Sequence, residues 1–307
     1  MGLASVAALT GLVLNPFGAA PEVLQSGKPW FAFEAQGPVL QLVRVQKLPA
    51  KNCSAWIEAA TSVPGDELIP LRPSDTAEVL YRDWQPWTEK DLDPIRECDD
   101  FPCMVKLNSA EVDSMKKTSE DERVMKFHSL ILDRTHRYIK SQARKGYEFP
   151  GDPVDPWALF EKRGFKPEVS RPSTPVLFAR KLNFAPDKML TMHQVLDRRV
   201  GKSSSEAVVW TRDIYTDHYF DSWGEWSSVQ CDSSLGEVVV IESLLSEMDL
   251  LKSKSIFAHA AFGKYRSAFE ENGKVFLNKQ FERLKKLAEK LSTELAAPKP
   301  SPSQKKK

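Results

Sequence analysis

Four segments in the second half of the chain read as strands and are followed by one long amphipathic run, and that order limits the fold more than any other feature. Val176–Asn183, Met189–Val200, Ala207–Asp221 and Val229–Ser243 are rich in β-branched and aromatic residues. Gly201-Lys202-Ser203-Ser204-Ser205 and Asp232-Ser233-Ser234-Leu235-Gly236 have the composition of hairpin turns. The run Phe262–Leu295 then spaces Phe262, Tyr265, Phe269, Phe276, Leu277, Phe281, Leu284, Leu287 and Leu291 as one helical stripe, with Gly263 and Gly273 as weak points. An antiparallel sheet with an apolar face needs a cover, and a terminal helix about 45 Å long can lie across it. The expected class is α+β: an antiparallel curved sheet packed on a long C-terminal helix, with a helical insertion.

The first half supplies the other pieces. Val39–Leu48 alternates apolar and polar residues as a strand does, and Lys51–Thr61 carries Trp56, Ile57 and Ala60 at helical spacing. Val63–Pro73, with its prolines, reads as loop; Glu78–Trp87 and Met104–Leu107 read as strands, and Thr88–Leu92 as a helix start. Ser109 is the expected N-cap of a helical stretch over Ala110–Lys145, broken near Thr118-Ser119-Glu120. Its second part keeps a 3.6-residue period through Val124, Phe127, His128, Ile131, Leu132 and Tyr138. The expected division is a signal-like or apolar leader at 1–21, one domain over 22–295 with the insertion at 109–165, and a disordered basic tail at 296–307.

With 43 Lys and Arg against 42 Asp and Glu, no global field recruits nucleic acid. Beyond Gly273, ten Lys and Arg face three Glu, which leaves a peripheral contact with anionic lipid open beside a plain solvated helix face. Gly2–Val13 followed by Asn15-Pro16-Phe17-Gly18-Ala19-Ala20-Pro21 has the core and cleavage zone of a secretory signal, but no Lys or Arg precedes Lys28. Export, periplasmic or secreted, is the expectation. Of four cysteines, Cys98 and Cys103 flank a turn-prone Asp-Asp-Phe-Pro and are expected to pair, while Cys53 and Cys231 are open to pairing or to burial as free thiols. No second ligand pair accompanies Cys98 and Cys103, so no metal and no cofactor are expected.

This order of elements resembles the helix-grip arrangement of the START-like (SRPBCC) superfamily over about Val39–Leu295, a resemblance that implies a hydrophobic cavity between the curved sheet and the last helix. Three short motifs are similar to an uncharacterised group of exported bacterial proteins with no assigned activity: Cys98-x4-Cys103-Met-Val-Lys-Leu107, Arg212-x-Ile-Tyr-x-x-His-Tyr-Phe220, and Phe257–Arg266. The chain departs from that group where Ala258-His259-Ala260-Ala261 replaces glycines at the start of the last helix.

Candidate site residues concentrate in Arg212–Trp226. Read as one strand, Trp210, Arg212, Ile214, Thr216, His218 and Phe220 share a face fit to line a ligand pocket. Thr211, Asp213, Tyr215, Asp217, Tyr219 and Asp221 share the other, which reads as wet and acidic. Asp213, Asp217 and Asp221 would spread over about 26 Å, too far for one ion. His218 is the best polar candidate, as a base or an anchor for an anionic head group, but no nucleophile accompanies it. His128, His136, His193 and His259 share no motif, and neither a Gly-x-Ser-x-Gly elbow nor a phosphate-binding glycine loop is present. Trp84, Trp87, Trp223 and Trp226 read as exposed or pocket-rim aromatics. The expected function is non-catalytic binding of a hydrophobic or amphipathic small molecule, lipid first, in the cell envelope. The alternative is an envelope interaction module with a filled core that docks through its tryptophan-rich segment. An enzyme using His218 ranks third, and the oligomeric state is not legible.

Overall fold

A computed structural model describes residues 27–36, 39–62, 68–71, 92, 95, 105–142, 176–185, 190–217, 220–248 and 256–296. Among these residues eight strands form one antiparallel sheet: β1 (Trp30–Gln36), β2 (Val39–Pro49), β3 (Leu68–Leu71), β4 (Val176–Ala185), β5 (Leu190–Lys202), β6 (Glu206–Thr216), β7 (Phe220–Asp232) and β8 (Glu237–Met248). Among the described residues four helices accompany it: α1 (Cys53–Thr61), α2 (Ser109–Lys116), α3 (Glu120–Gln142) and α4 (Ile256–Ala296). The class is therefore the expected α+β arrangement, a sheet packed against a long C-terminal helix.

The strand order is β1-β2-β8-β7-β6-β5-β4-β3. From β3 to β8 the sheet is a meander of sequential neighbours, and the N-terminal hairpin β1–β2 joins it through β2 against β8, from Val39 opposite Glu247 to Pro49 opposite Glu237. One face meets α1 and α4. There Leu40, Leu42 and Leu244 of the sheet pack with Trp223, Phe269 and Leu277, while Trp56 and Ile57 pack with Val229, Val238, Val240 and Phe281. The other face meets α2 and α3 at its β4–β5–β6 side, where Leu177, Ala179, Val195 and Tyr215 pack with Met115, Phe127, Ile131 and Tyr138. Because both faces are covered, β2 is buried along most of its length even though its sequence alternates.

Local chemistry sets the helix ends. Asn52 caps α1 by accepting from the Ala55 backbone N–H at 3.2 Å. At α2 the cap is Asn108 rather than Ser109: its side chain accepts from Glu111 N–H at 2.9 Å while Glu111 accepts from Asn108 N–H at 2.9 Å. That reciprocal box uses two orphan donors, which a cap one residue later would leave open. Glu111 also takes Arg134 at 2.7 Å, so the same carboxylate ties α2 to α3. The break at Thr118-Ser119 falls where expected.

Several expectations need correction. Residues 68–71, read as loop, form edge strand β3 against β4, a position that tolerates Pro70. Residues 105–107, read as strand, form none; Leu107 N–H donates to the Val105 carbonyl at 3.0 Å instead. The stretch Ala207–Asp221 is not one strand but the end of β6 and the start of β7, and Val229–Ser243 likewise spans the β7–β8 turn. Strand β1 was not anticipated, and α4 starts at Ile256, earlier than Phe262. The leader, the strand at Glu78–Trp87, Cys98, Cys103 and the tail beyond Ala296 lie outside the described residues.

Cys53 and Cys231 pair, with Cα atoms 5.6 Å apart and 178 residues of chain between them. The bond pins the start of α1 to β7 beside the C-terminal half of α4. Replacing both cysteines by serine should lower unfolding free energy by about 3–5 kcal/mol, read from denaturant midpoints; an unchanged midpoint would show the bond to be dispensable. Gly273 sits where α4 approaches the sheet most tightly, since a Cβ there would lie 2.7 Å from Leu42 Cδ2 and 3.5 Å from Leu244 Cδ2. Gly273→Leu should cost about 1–3 kcal/mol through overpacking. Gly263→Ala, where a Cβ meets nothing within 4 Å, should instead gain up to about 1 kcal/mol from helix propensity. Thermal unfolding of the two variants separates these signs.

Candidate functional site

The segment singled out by sequence does not keep one alternation, because β6 carries a bulge. Val195 faces Tyr215 and Leu196 faces Asp213, which leaves Ile214 as the extra residue. Trp210 and Arg212 lie on the face toward α3, and past the bulge Tyr215 and Asp217 join them. Thr216 turns to the opposite face, where it accepts from Gln194 Nε2 at 3.2 Å. The proposed single face of Trp210, Arg212, Ile214, Thr216, His218 and Phe220 is thus divided. Phe220 opens the next strand opposite Met248, and His218 lies outside the described residues.

The acidic face is not wet. Asp213, Tyr215 and Asp217 are 4%, 2% and 3% exposed. Each lies on a sheet that is covered on both sides, so alternation in the sequence did not translate into an exposed face. The tryptophans are corrected in the same way: Trp210, Trp223 and Trp226 are 1%, 1% and 2% exposed, members of the interior rather than rim or docking aromatics.

Beneath α3 the sheet instead presents a floor of buried polar groups. Asp197 on β5 accepts from the Tyr138 hydroxyl and from Arg199 Nε and Nη2 at 3.0 and 2.8 Å. Burial first, and the Asp197 carboxylate second, raise the Tyr138 pKa far above its ordinary value and keep the hydroxyl a donor. Across the strand pair from Asp197 stands Arg212. Its guanidinium lies 5.3 Å from the Tyr138 ring centroid and 5.9 Å from that of Trp210, while Arg199 lies 5.1 Å from Trp210.

A second cluster lies past the bulge. Asp217 accepts from the His193 backbone N–H at 2.8 Å and from its Nδ1 at 2.8 Å. This double contact fixes the ring orientation and makes Nδ1 the donor to the carboxylate. His128 on α3 donates from Nδ1 to the Val124 carbonyl at 2.8 Å, and burial lowers its pKa from 6.5 to about 4. Tyr215 between them is held protonated, by burial first and then by Asp217. Neither His193 nor Asp217 was singled out as a pair from the sequence, since 24 residues separate them. A readable signal existed nearby: Asp197-Arg198-Arg199 interrupts the apolar residues Val195, Leu196 and Val200 of a strand.

The α4 face holds its own polar seam. Arg44 donates to Glu242 at 3.2 Å, to Asn278 at 3.1 Å and to Gln46, and its guanidinium covers the Phe281 ring at 3.7 Å. Burial pushes Glu242 up to about 8 against the pull of Arg44. Glu225 accepts from Arg180 at 2.5 Å, Trp223 at 2.7 Å and Gln280 at 3.2 Å; burial opposes its ionisation, but these donors outweigh burial and lower its pKa. Arg198 reaches the last carbonyls of α1, Ser62 at 3.1 Å among them, as suits a cation at a helix C-terminus. Together with Phe269, Phe276 and the close approach at Gly273, these side chains fill the contact between α4 and the sheet along Phe269–Phe281. Among the described residues, no group of three or more His, Cys, Asp or Glu side chains is placed to hold a metal ion.

The shift of His128 has a definite sign. Its folded pKa of about 4 lies below 6.5, so it contributes stability that is present above pH 6.5 and lost as pH falls through 4. The loss should approach about 3 kcal/mol, and in His128→Gln that part of the pH dependence should vanish. Denaturant unfolding between pH 7 and pH 4 measures the difference; parallel curves for the two proteins would refute it. Comparison with known proteins finds no matching family model, no matching curated protein and no matching solved structure, so no family is assigned and the reading of this floor rests on its geometry.

Proposed function

We propose that the chain binds an apolar or amphipathic small molecule, lipid first, without transforming it, and that the binding surface is the α3-side face of the sheet rather than the seam under α4. One observation carries this reading. Strand register places Val43, Val45, Ile241, Leu245, Trp226 and Trp210 on one apolar face that ends at Arg212, each of them 1–2% exposed, so that a ligand would lie in the interior on this side of the sheet. Small residues interrupt it where two rows meet: Gly224 between Leu245 and Arg212, and Ser243 between Val43 and Trp226. Apolar area with one polar end suits an amphipath, since tail burial at about 25 cal/mol per Å² supplies affinity and a few polar groups set orientation.

The compartment proposed is outside the cytoplasm. The Cys53–Cys231 bond is compatible with an oxidising environment, and among the described residues no helix is long and apolar enough to cross a membrane. The basic side of α4 is the candidate for peripheral contact with an anionic bilayer. The rival reading, an interaction module with a filled core, draws support from the packed α4 seam, but its tryptophan docking segment points inward.

Native mass spectrometry of purified protein should show an adduct in the lipid mass range, removed by delipidation and restored on exposure to a lipid extract. A spectrum that stays at the bare protein mass through both steps would overturn the proposal.

A further inference from the structure

The half of α4 that follows Gly273 carries its charges in separate rows. Lys279, Arg283, Lys286 and Lys290 recur at steps of four, three and four residues, the spacing of one helix face, and all four are exposed. Leu277, Phe281 and Ala288, buried in the contact with the sheet, lie on the opposite side of the same helix. The basic row therefore points away from the sheet. Glu282 and Glu289 fall on a neighbouring row about 80° round the helix. Glu294 stands at the end of the basic row, 3.9 Å from Lys290.

A helix that is merely solvated gains when acids and bases alternate along one face. Each step of this row instead sets like charges side by side, which is unfavourable. Among the described residues, neither Lys279 nor Lys286 forms an ion pair that would relieve the repulsion. An anionic plane laid against the row would. Three lysines and one arginine suit a layer of phosphate head groups, which asks for point charges at one height and not for a fork geometry. The row holds no aromatic or leucine side chain; Val275 precedes it and Thr293 follows. A protein partner would thus find no apolar anchor of the kind interfaces depend on. The extracytoplasmic compartment proposed above offers anionic bilayer rather than nucleic acid.

We propose that α4 lies along an anionic bilayer through Lys279, Arg283, Lys286 and Lys290, a contact about 16 Å long, with the sheet behind it. The inference rests on the bilayer contact proposed above and goes further by naming its residues and its orientation; it does not depend on the amphipath. Because the proposed amphipath face is the α3 side of the sheet, the docked chain turns that face away from the bilayer. Lys299 and Lys305–Lys307 in the sequence beyond α4 carry the same sign.

Cosedimentation of the full chain with vesicles tests this, using phosphatidylcholine alone and phosphatidylcholine with about one third phosphatidylglycerol. Wild type should partition to the anionic vesicles at least about tenfold more strongly, and raising NaCl from about 0.1 M to about 0.5 M should weaken that binding. Lys279→Gln with Lys286→Gln should weaken it about 25-fold, at roughly fivefold per charge near the surface. Lys279→Arg with Lys286→Arg keeps the charge and should bind within about twofold of wild type. Lys116→Gln with Lys117→Gln removes the same charge from exposed positions at the end of α2 and should change binding less than about twofold. Circular dichroism checks that each variant folds, and the wild-type series stands even if a variant does not. If the α4 glutamine pair binds as wild type does, or the α2 pair loses as much, the row is overturned while the bilayer contact survives. Equal binding to both vesicle types overturns the electrostatic basis, and tighter binding to duplex DNA at equal phosphate concentration overturns the bilayer as partner. No binding to either vesicle overturns the bilayer contact together with this inference, whereas a lipid adduct in native mass spectrometry would still uphold the amphipath reading.

Discussion

Pairing of β2 with β8 is the constraint on which the remaining architecture depends. It joins the N-terminal hairpin to the last strand of the meander and so makes one sheet from two distant parts of the chain. That sheet is wide enough to have a helix-covered face and still present Arg44 and Leu42 to α4 beside Glu242 and Leu244. The ladder is built from contacts of very large sequence separation, whose closure entropy must be met by burial along both faces. The Cys53–Cys231 bond acts at the same joint, holding α1 against β7 where the second half of α4 also packs.

Covering both faces has an electrostatic consequence. Many charged residues of the central strands, Arg44, Arg180, Asp197, Arg198, Arg199, Arg212 and Glu242 among them, are then buried, and a buried charge is tolerated only when paired and hydrogen-bonded. The α4 side meets this demand with two short networks, Arg44–Glu242 with Asn278 and Arg180–Glu225 with Trp223 and Gln280. The α3 side meets it with Asp197–Arg199–Tyr138 and with His193–Asp217. Such networks stabilise little in net terms, but they specify which strand lies beside which, since a slip of one residue would strand each charge on the wrong face. Arg212 is held differently, against the rings of Tyr138 and Trp210.

Much of the scaffold was legible because its elements are locally determined. The stripe from Tyr265 to Leu291 specifies a helix with one buried side, and Phe269, Leu277 and Phe281 are indeed its innermost residues. The turns at Gly201–Ser205 and Asp232–Gly236 carry their own chemistry, including Gly236 at φ 64°. Edge strand β3 was missed because Pro70 reads as a breaker unless its position at the sheet margin is known. The site was less legible. Arg212 and Trp210 were found as face partners, but the bulge at Ile214 reversed the alternation beyond them, and it arises from pairing with β5.

What the sequence by itself determined is the class of the protein: strands, turns and a long amphipathic helix in an order that can only build an α+β layer structure, because periodicity and turn chemistry act over a few residues. What only the tertiary structure decided is the meaning of the polar residues within it. Asp213 and Asp217 are interior rather than wet, His193 has a carboxylate partner 24 residues away, and Arg212 faces two aromatic rings. Burial and partnership depend on which strands and helices meet across the whole chain, and no local pattern encodes that.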